Sequence, residues 1–535
     1  MASDGAALVA MNGNEETDNL KSRTAIGLIV VIVFAAWSAS CAQEQSYDQP
    51  YRPQVHFSPE RNWTNDPNGL VFYHGEYHLF FQYNPFGDTW GHMSWGHAVS
   101  RDLLHWRQLS LAIPEENGVM IFTGSVVIDH NDTSGLCKPA KECLVAVYTG
   151  DSNAPDGHRE TQNLAYSLDD GRNWKKYEKN PVLDLHLADF RDPSVSWDEE
   201  RHGWVMAVSL PREHKVSFYL SKDLKQWVHA SDFGPAGDTN GVWECPDLLR
   251  VPSKGKHGSF WALKVGLNPG APQGGSGEQY FLGEFDGRSF KVSEEAGSHG
   301  WTNYGKDDYC AISFNGIPPG GQPVLLGWMN NWDYASKLQT SPWRGQMSLG
   351  RKLSLVRDQT GLALAQDPVI DPLRKTAVPL HSEALSGSDG VAATLSPPYE
   401  LDFEEASPSD KSFGVRIYYD DQHWTEIGFD KARGEFYIDR TKSGETSIPG
   451  FAVKTTAPVV PDRPYNSKVI IDRSSVEAFA QNGTIAMTNL VYPPATSNRI
   501  VFFPPGTETA KVHPHLWKLA SIWEGAGREQ GASSR

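Results

Sequence analysis

Five cysteines in 535 residues are too few to form a disulfide scaffold. Only Cys137 and Cys143, flanking Lys138-Pro139-Ala140-Lys141-Glu142, are spaced for a small-loop bridge. Positive charge is short as well: 48 Lys and Arg against 65 Asp and Glu leave a net charge of −17, and no basic stripe runs along the chain. That argues against nucleic acid as a partner. Clustered metal ligands are also lacking, since His92, His97 and His105 share no ligand spacing with acids or thiols. Surface or core histidines are expected, with no metal and no other cofactor. What the chain has in quantity is 18 Trp, 49 Gly and 35 Pro, a usage that favours short strands and tight turns over long helices. Most of the Trp belong in the core, and any left over are faces on which sugar rings stack.

Residues 1–42 read as an export segment, either a signal peptide or an N-terminal membrane anchor. Ala25 to Trp37 form an apolar core after Lys21 and Arg23, followed by Ser38-Ala39-Ser40-Cys41-Ala42. The core is shorter than the roughly 20 residues a full span needs, which suits a signal peptide. The stretch before it carries Asp4, Glu15, Glu16 and Asp18 and is long and acidic for a leader. Either translation starts at Met11, or the segment is retained and attaches the protein to a membrane through residues 25–42. The protein is secreted or at the cell surface on both readings. Ser38 stands where a lipoprotein site has a large aliphatic residue, which argues against lipidation at Cys41.

Three carboxylates share a setting. Asp66 lies in Trp63-Thr64-Asn65-Asp66-Pro67-Asn68-Gly69, Asp192 in Phe190-Arg191-Asp192-Pro193, and Glu244 in Trp243-Glu244-Cys245-Pro246-Asp247. Each has an aromatic before it and a proline after it, as expected of an acid fixed in a turn at a strand end. Taken alone, the Asn-Asp-Pro-Asn-Gly turn reads as an ordinary capping Asp. The hairpin that follows it, Leu70-Val71-Phe72 and Tyr77 to Pro85 turned at His74-Gly75-Glu76, puts the acid at a strand mouth. Three such acids among tryptophans point to sugar chemistry. Together with Gln82-Tyr83-Asn84-Pro85 and Trp95-Gly96-His97-Ala98, these motifs resemble glycoside hydrolase family 32, the β-fructofuranosidases, over about Tyr51 to Trp517.

A repeat supports a propeller. Ser100-Arg101-Asp102 leading to Trp106 is answered by Ser167-Leu168-Asp169 leading to Trp174 and by Ser221-Lys222-Asp223 leading to Trp227, with a degenerate copy at Phe285 to Phe290. Spacings of about 55 to 70 residues fit four-stranded blades, so residues 43–365 divide into about five. The resemblance implies the same five-bladed fold. Gln366 to Arg374 reads as a proline-bearing linker, residues 375–521 as a β-sandwich from alternating runs such as Val415, Ile417 and Tyr419, and residues 522–535 as a polar tail. The expected class is all-β, a five-bladed β-propeller followed by a β-sandwich.

The resemblance implies roles for the three acids: Asp66 as nucleophile, Glu244 as acid/base and Asp192 as the group that grips ring hydroxyls in the transition state. It also implies a fructose pocket of Asn65, Gln82, Trp90, Phe122, Thr123, Arg191 and Trp328. Retaining enzymes of this kind set the two reacting carboxyls about 5 to 5.5 Å apart. Arg191 is expected to keep Asp192 ionised, and apolar walls and anionic neighbours to raise the pKa of Glu244. Thr123 stands where the family commonly has Ser, which keeps the hydroxyl and adds a methyl. The implied activity is retaining release of terminal β-D-fructose from levan, inulin or sucrose. The alternatives are a narrow invertase, a fructosyltransferase using the same acids, and a sugar-binding propeller without catalysis. That last reading requires the loss of an acid, and all three are present.

Overall fold

The computed structural model describes residues 47–524, apart from 139–140, 155–156, 254–258, 298, 381–390, 406–409, 496 and 504–511. The export segment at 1–42 lies outside the described residues. Among those described, no helix is long and apolar enough to cross a membrane.

Five antiparallel sheets follow one another along the chain, at 62–108, 119–176, 191–233, 242–292 and 309–368, and are called here blades I to V. Their innermost strands are Asn62–Tyr73, Val119–Asp129, Arg191–Asp198, Val242–Pro252 and Tyr309–Ser313. Each of these packs on the innermost strand of the next blade, and blade V packs back on blade I. The ring closes where Val71 bridges Asn315, and again where Trp343 and Arg344 pair in parallel with Asn62 and Trp63. Closure gives every blade a neighbour on both sides, so no blade face is left at an open end of the array.

The Ser-x-Asp repeat turns out to be the turn between the third and fourth strands of a blade. The Ser hydroxyl donates to the Asp carboxylate at 3.0, 2.9 and 3.1 Å in blades I, II and III. The same carboxylate accepts backbone N–H groups further round the turn, from His105, Asn173 and Gln226. The following Trp indole donates to the carbonyl of Leu103, Gly171 or Leu224, which locks the turn against the next strand. In blade IV Asp286 caps Arg288 and Ser289 without the preceding Ser or the following Trp, and in blade V Asp358 caps Thr360.

Beyond blade V, two six-stranded antiparallel sheets stack face to face. Val415, Ile417, Ile427, Phe429 and Ile438 of one pack against Leu401, Val469, Val476 and Ala478 of the other, the inward sets of alternating strands. Three sequence expectations need correction here. The strand Gly361–Pro368 pairs with blade V to its end, so the linker expected at 366–374 shrinks to 369–373, where Ile370 and Leu373 are buried. Pro368 is tolerated because it ends an outer strand, and Pro372 because it opens a short 3₁₀ turn at Asp371–Leu373. The polar tail does not begin at 522: Ile522 is buried, and Trp523 stacks on Tyr47 at 3.8 Å and donates to the Pro53 carbonyl. Besides Cys137–Cys143 there is a second disulfide, Cys245–Cys310, whose partners lie 65 residues apart and on the innermost strands of blades IV and V.

The sandwich is stitched to blade V just before Tyr309. Tyr304 and Asp307 donate backbone N–H bonds to Ala486 and Thr488, Asn303 donates to the Thr488 hydroxyl, and Arg440 pairs with Asp307 at 2.6 Å. Ahead of blade I, His56 sits buried between Asp472 and Glu477 of the sandwich, 2.8 Å from each.

Candidate active site

Every innermost strand breaks register near its start. The shifts fall between Thr64 and Pro67, Ile121 and Gly124, Glu244 and Asp247, and Tyr309 and Ile312, and in blade III between the partners of Arg191 and Ser194. A bulge turns a side chain out of the alternation and kinks the strand. These five bulges bring Asp66, Thr123, Asp192, Glu244 and Tyr309 together at one mouth of the ring. Asp192 and Cys245 both take positive φ, +68° and +48°, conformations that most residues avoid.

The contacts among these groups are specific. Thr123 donates its hydroxyl to Asp66 Oδ2 at 2.9 Å, while Oδ1 has no hydrogen-bond partner among the described residues. Asp192 is held at both ends: its N–H donates to the Thr149 hydroxyl, and its Oδ2 accepts from the Cys245 N–H at 2.9 Å. Glu244 has donors on both oxygens. Arg191 Nε and Nη2 lie 3.0 Å from Oε1, and the Tyr309 hydroxyl donates to Oε2. The guanidinium also spans Glu160 and Asp189, which fixes its plane.

Among the residues expected in the pocket, Asn65, Gln82, Thr123 and Trp328 are buried beside Asp66, and Phe122 is half-buried. Asn65 Oδ1 takes the Trp63 indole at 2.8 Å, and Asn68 bridges the amide of Gln82 to the Thr123 hydroxyl. Trp63, Trp328 and Trp332 pack into one aromatic wall, with Trp328 and Trp332 centred 4.8 Å apart. Trp90 stands at the rim, 47 % exposed and edge-on to Phe122. The extra methyl of Thr123 does not prevent its hydroxyl from reaching Asp66.

The electrostatics differ from the sequence expectation. Arg191 turns its guanidinium on Glu244 rather than holding Asp192 ionised; burial drives Asp192 well above the usual carboxylate range, Arg191 opposes this, and the Glu244 charge adds to it. Burial pushes Asp66 up to about 7, with the Glu244 charge adding and the Thr123 bond opposing. Glu244 is not walled by apolar groups, since Arg191 and Tyr309 occupy its two oxygens. Sequence reasoning did not identify Tyr309, Glu160 or the Cys245–Cys310 bridge. Tyr309 sits in Asp307-Asp308-Tyr309-Cys310, where the only signal was a second cysteine next to an aromatic.

Comparison with known proteins agrees with this architecture. The profile described as "Glycosyl hydrolases family 32 N-terminal domain" matches residues 56–368, and "Glycosyl hydrolases family 32 C terminal" matches 372–523. A levanase of Bacillus subtilis is 40 % identical over 523 residues, spanning 93 % of this chain and 74 % of its own. An extracellular exo-inulinase of Aspergillus ficuum is 39 % identical over 526 residues, spanning 91 % of this chain and 97 % of its own. The crystal structure of exo-inulinase from Aspergillus awamori superposes with a TM-score of 0.81 at 36 % identity, covering 89 % of this chain and all of that one.

Proposed function

The chain belongs to glycosyl hydrolase family 32, and on that premise we propose that it releases terminal fructose from levan, inulin and sucrose by double displacement at Asp66 and Glu244. The observation that carries the assignment of roles is the unequal dressing of the carboxylates. Asp66 Oδ2 is tied to Thr123, whereas Oδ1 accepts no hydrogen bond from the described residues, which leaves one oxygen to attack the anomeric carbon. Glu244 gives its proton to the leaving oxygen as that bond breaks, and a fructosyl ester forms on Asp66. Water then attacks the ester, losing its proton to Glu244, and free fructose leaves with Asp66 restored. The reactive state, Asp66 ionised and Glu244 protonated, relieves the repulsion that raises Asp66. Asp192, anchored by Cys245, accepts from the ring hydroxyls, and Trp328 with Trp63 and Trp332 gives the furanose an apolar wall.

Fructose release from sucrose, inulin and levan, followed in parallel by chromatography, tests this reading. All three substrates should yield fructose from their ends. Internal cleavage to oligomers, or no release from any, would overturn it. The name of the extracellular relative supports export of this chain, which is measured as enzyme activity in the medium against the cell fraction.

A further inference from the structure

We infer that Tyr309 is a positioning residue of the reaction: its hydroxyl bonds the oxygen of Glu244 that carries the transferable proton and favours release of that proton. This rests on Glu244 being the acid/base. Oε1 already accepts two N–H bonds from a guanidinium that keeps its charge at any working pH, so its lone pairs are engaged and the proton resides on Oε2. Oε2 has two acceptor directions, one for the proton it donates and one for the Tyr309 hydroxyl. As the proton leaves for the glycosidic oxygen, charge builds on Oε2 and the phenolic bond becomes charge-assisted, hence stronger.

The fold is arranged to seat this phenol. In the blade IV register Gly266 lies opposite Glu244, and a Cβ there would come within 3.0 Å of the Tyr309 ring, so the glycine makes room for the ring beside the acid. Cys245 and Cys310 directly follow Glu244 and Tyr309, and their disulfide ties the two bulged strands together where the bond is made. Tyr309 is buried, and burial with the Glu244 charge holds its phenol far above its ordinary value, so it stays a donor throughout the enzyme's range. The other charged groups around Glu244 are Arg191 and Asp192 of blade III and Asp66 of blade I, with Glu160 and Asp189 acting through Arg191.

The test is the pH profile of kcat/KM on sucrose for Tyr309→Phe, which removes one oxygen from a packed ring. The alkaline limb should move up by about one pH unit, the scale of a lost charge-assisted bond. kcat should fall about tenfold to a hundredfold with KM little changed. Replacing Tyr309 with 3-fluorotyrosine, a stronger donor, should move the limb the other way. Gly266→Ala, whose backbone conformation allows a side chain, should displace the ring and act in the same direction as Tyr309→Phe. An unmoved alkaline limb in both Tyr309 variants overturns the inference, while full activity in Glu244→Gln overturns the assignment beneath it.

Discussion

Asp66 shows at the scale of one residue how the site opposes the fold. Its carboxyl is pushed up to about 7 from an ordinary 3.8. A raised carboxylate binds its proton more tightly when folded, so its contribution to stability is full below about 3.8 and is lost as pH rises through about 7. Asp66→Asn removes that loss. It should melt about 2–4 °C above the parent at pH 8 and at the same temperature at pH 3, while losing at least about a hundredfold in kcat. Equal melting at both pH values would show that the carboxyl is not held at a cost. The acids were legible in the sequence because each sits between an aromatic and a proline in a short motif. Arg191 was legible as a residue but not in its pairing, because Glu244 lies 53 positions away in another blade. Tyr309 carries no local pattern, and only the packing of blade V on blade IV reveals its role.

At the scale of elements, a turn device and a bulge divide the work. The Ser-x-Asp turn closes each of the first three blades on its outer side, and the bulge at the start of each innermost strand aims a side chain into the mouth. The turn was readable because its Ser, Asp and Trp recur at fixed offsets. The bulges were not, because a register shift depends on the partner strand and leaves no fixed residue pattern. In blade V, Asp358 keeps the cap but lacks both the Ser and the indole lock, so the fifth repeat is silent. Asp223→Ala, which removes the caps on Lys225 and Gln226, should therefore lower stability by about 1–2 kcal/mol with kcat unchanged. Urea unfolding read alongside turnover separates the two effects, and a fall in kcat at full folding would mean that the turns also shape the mouth.

At the scale of the whole molecule, the sandwich braces the chain that leads into the mouth of the ring. It was readable as a domain from its alternating strands, but its contacts with the segment before Tyr309 join residues more than 130 positions apart, which no local pattern encodes. Those contacts hold 303–307, the chain that leads into Tyr309. The other joint is His56, which Asp472 and Glu477 raise to about 9 against the opposing effect of burial. Its stabilising charge is fully present below about 6.5 and is lost as pH rises through about 9, whereas the lowered Asp472 and Glu477 lose theirs as pH falls. His56→Ala leaves two carboxylates buried without their cation and should cost about 3–5 kcal/mol in denaturant unfolding. A loss below about 1 kcal/mol would mean that the ion pairs of this joint add little net stability. The claim on which the account turns is that a fructosyl ester forms on Asp66 while Glu244 handles both proton transfers, and it has a direct measurement. Glu244→Ala, given a fructoside whose leaving group departs without protonation and then azide, should form the ester and yield β-fructosyl azide, identified by NMR, because a small anion needs no general base. An α-configured azide, or no azide product from the folded variant, would contradict double displacement at this site.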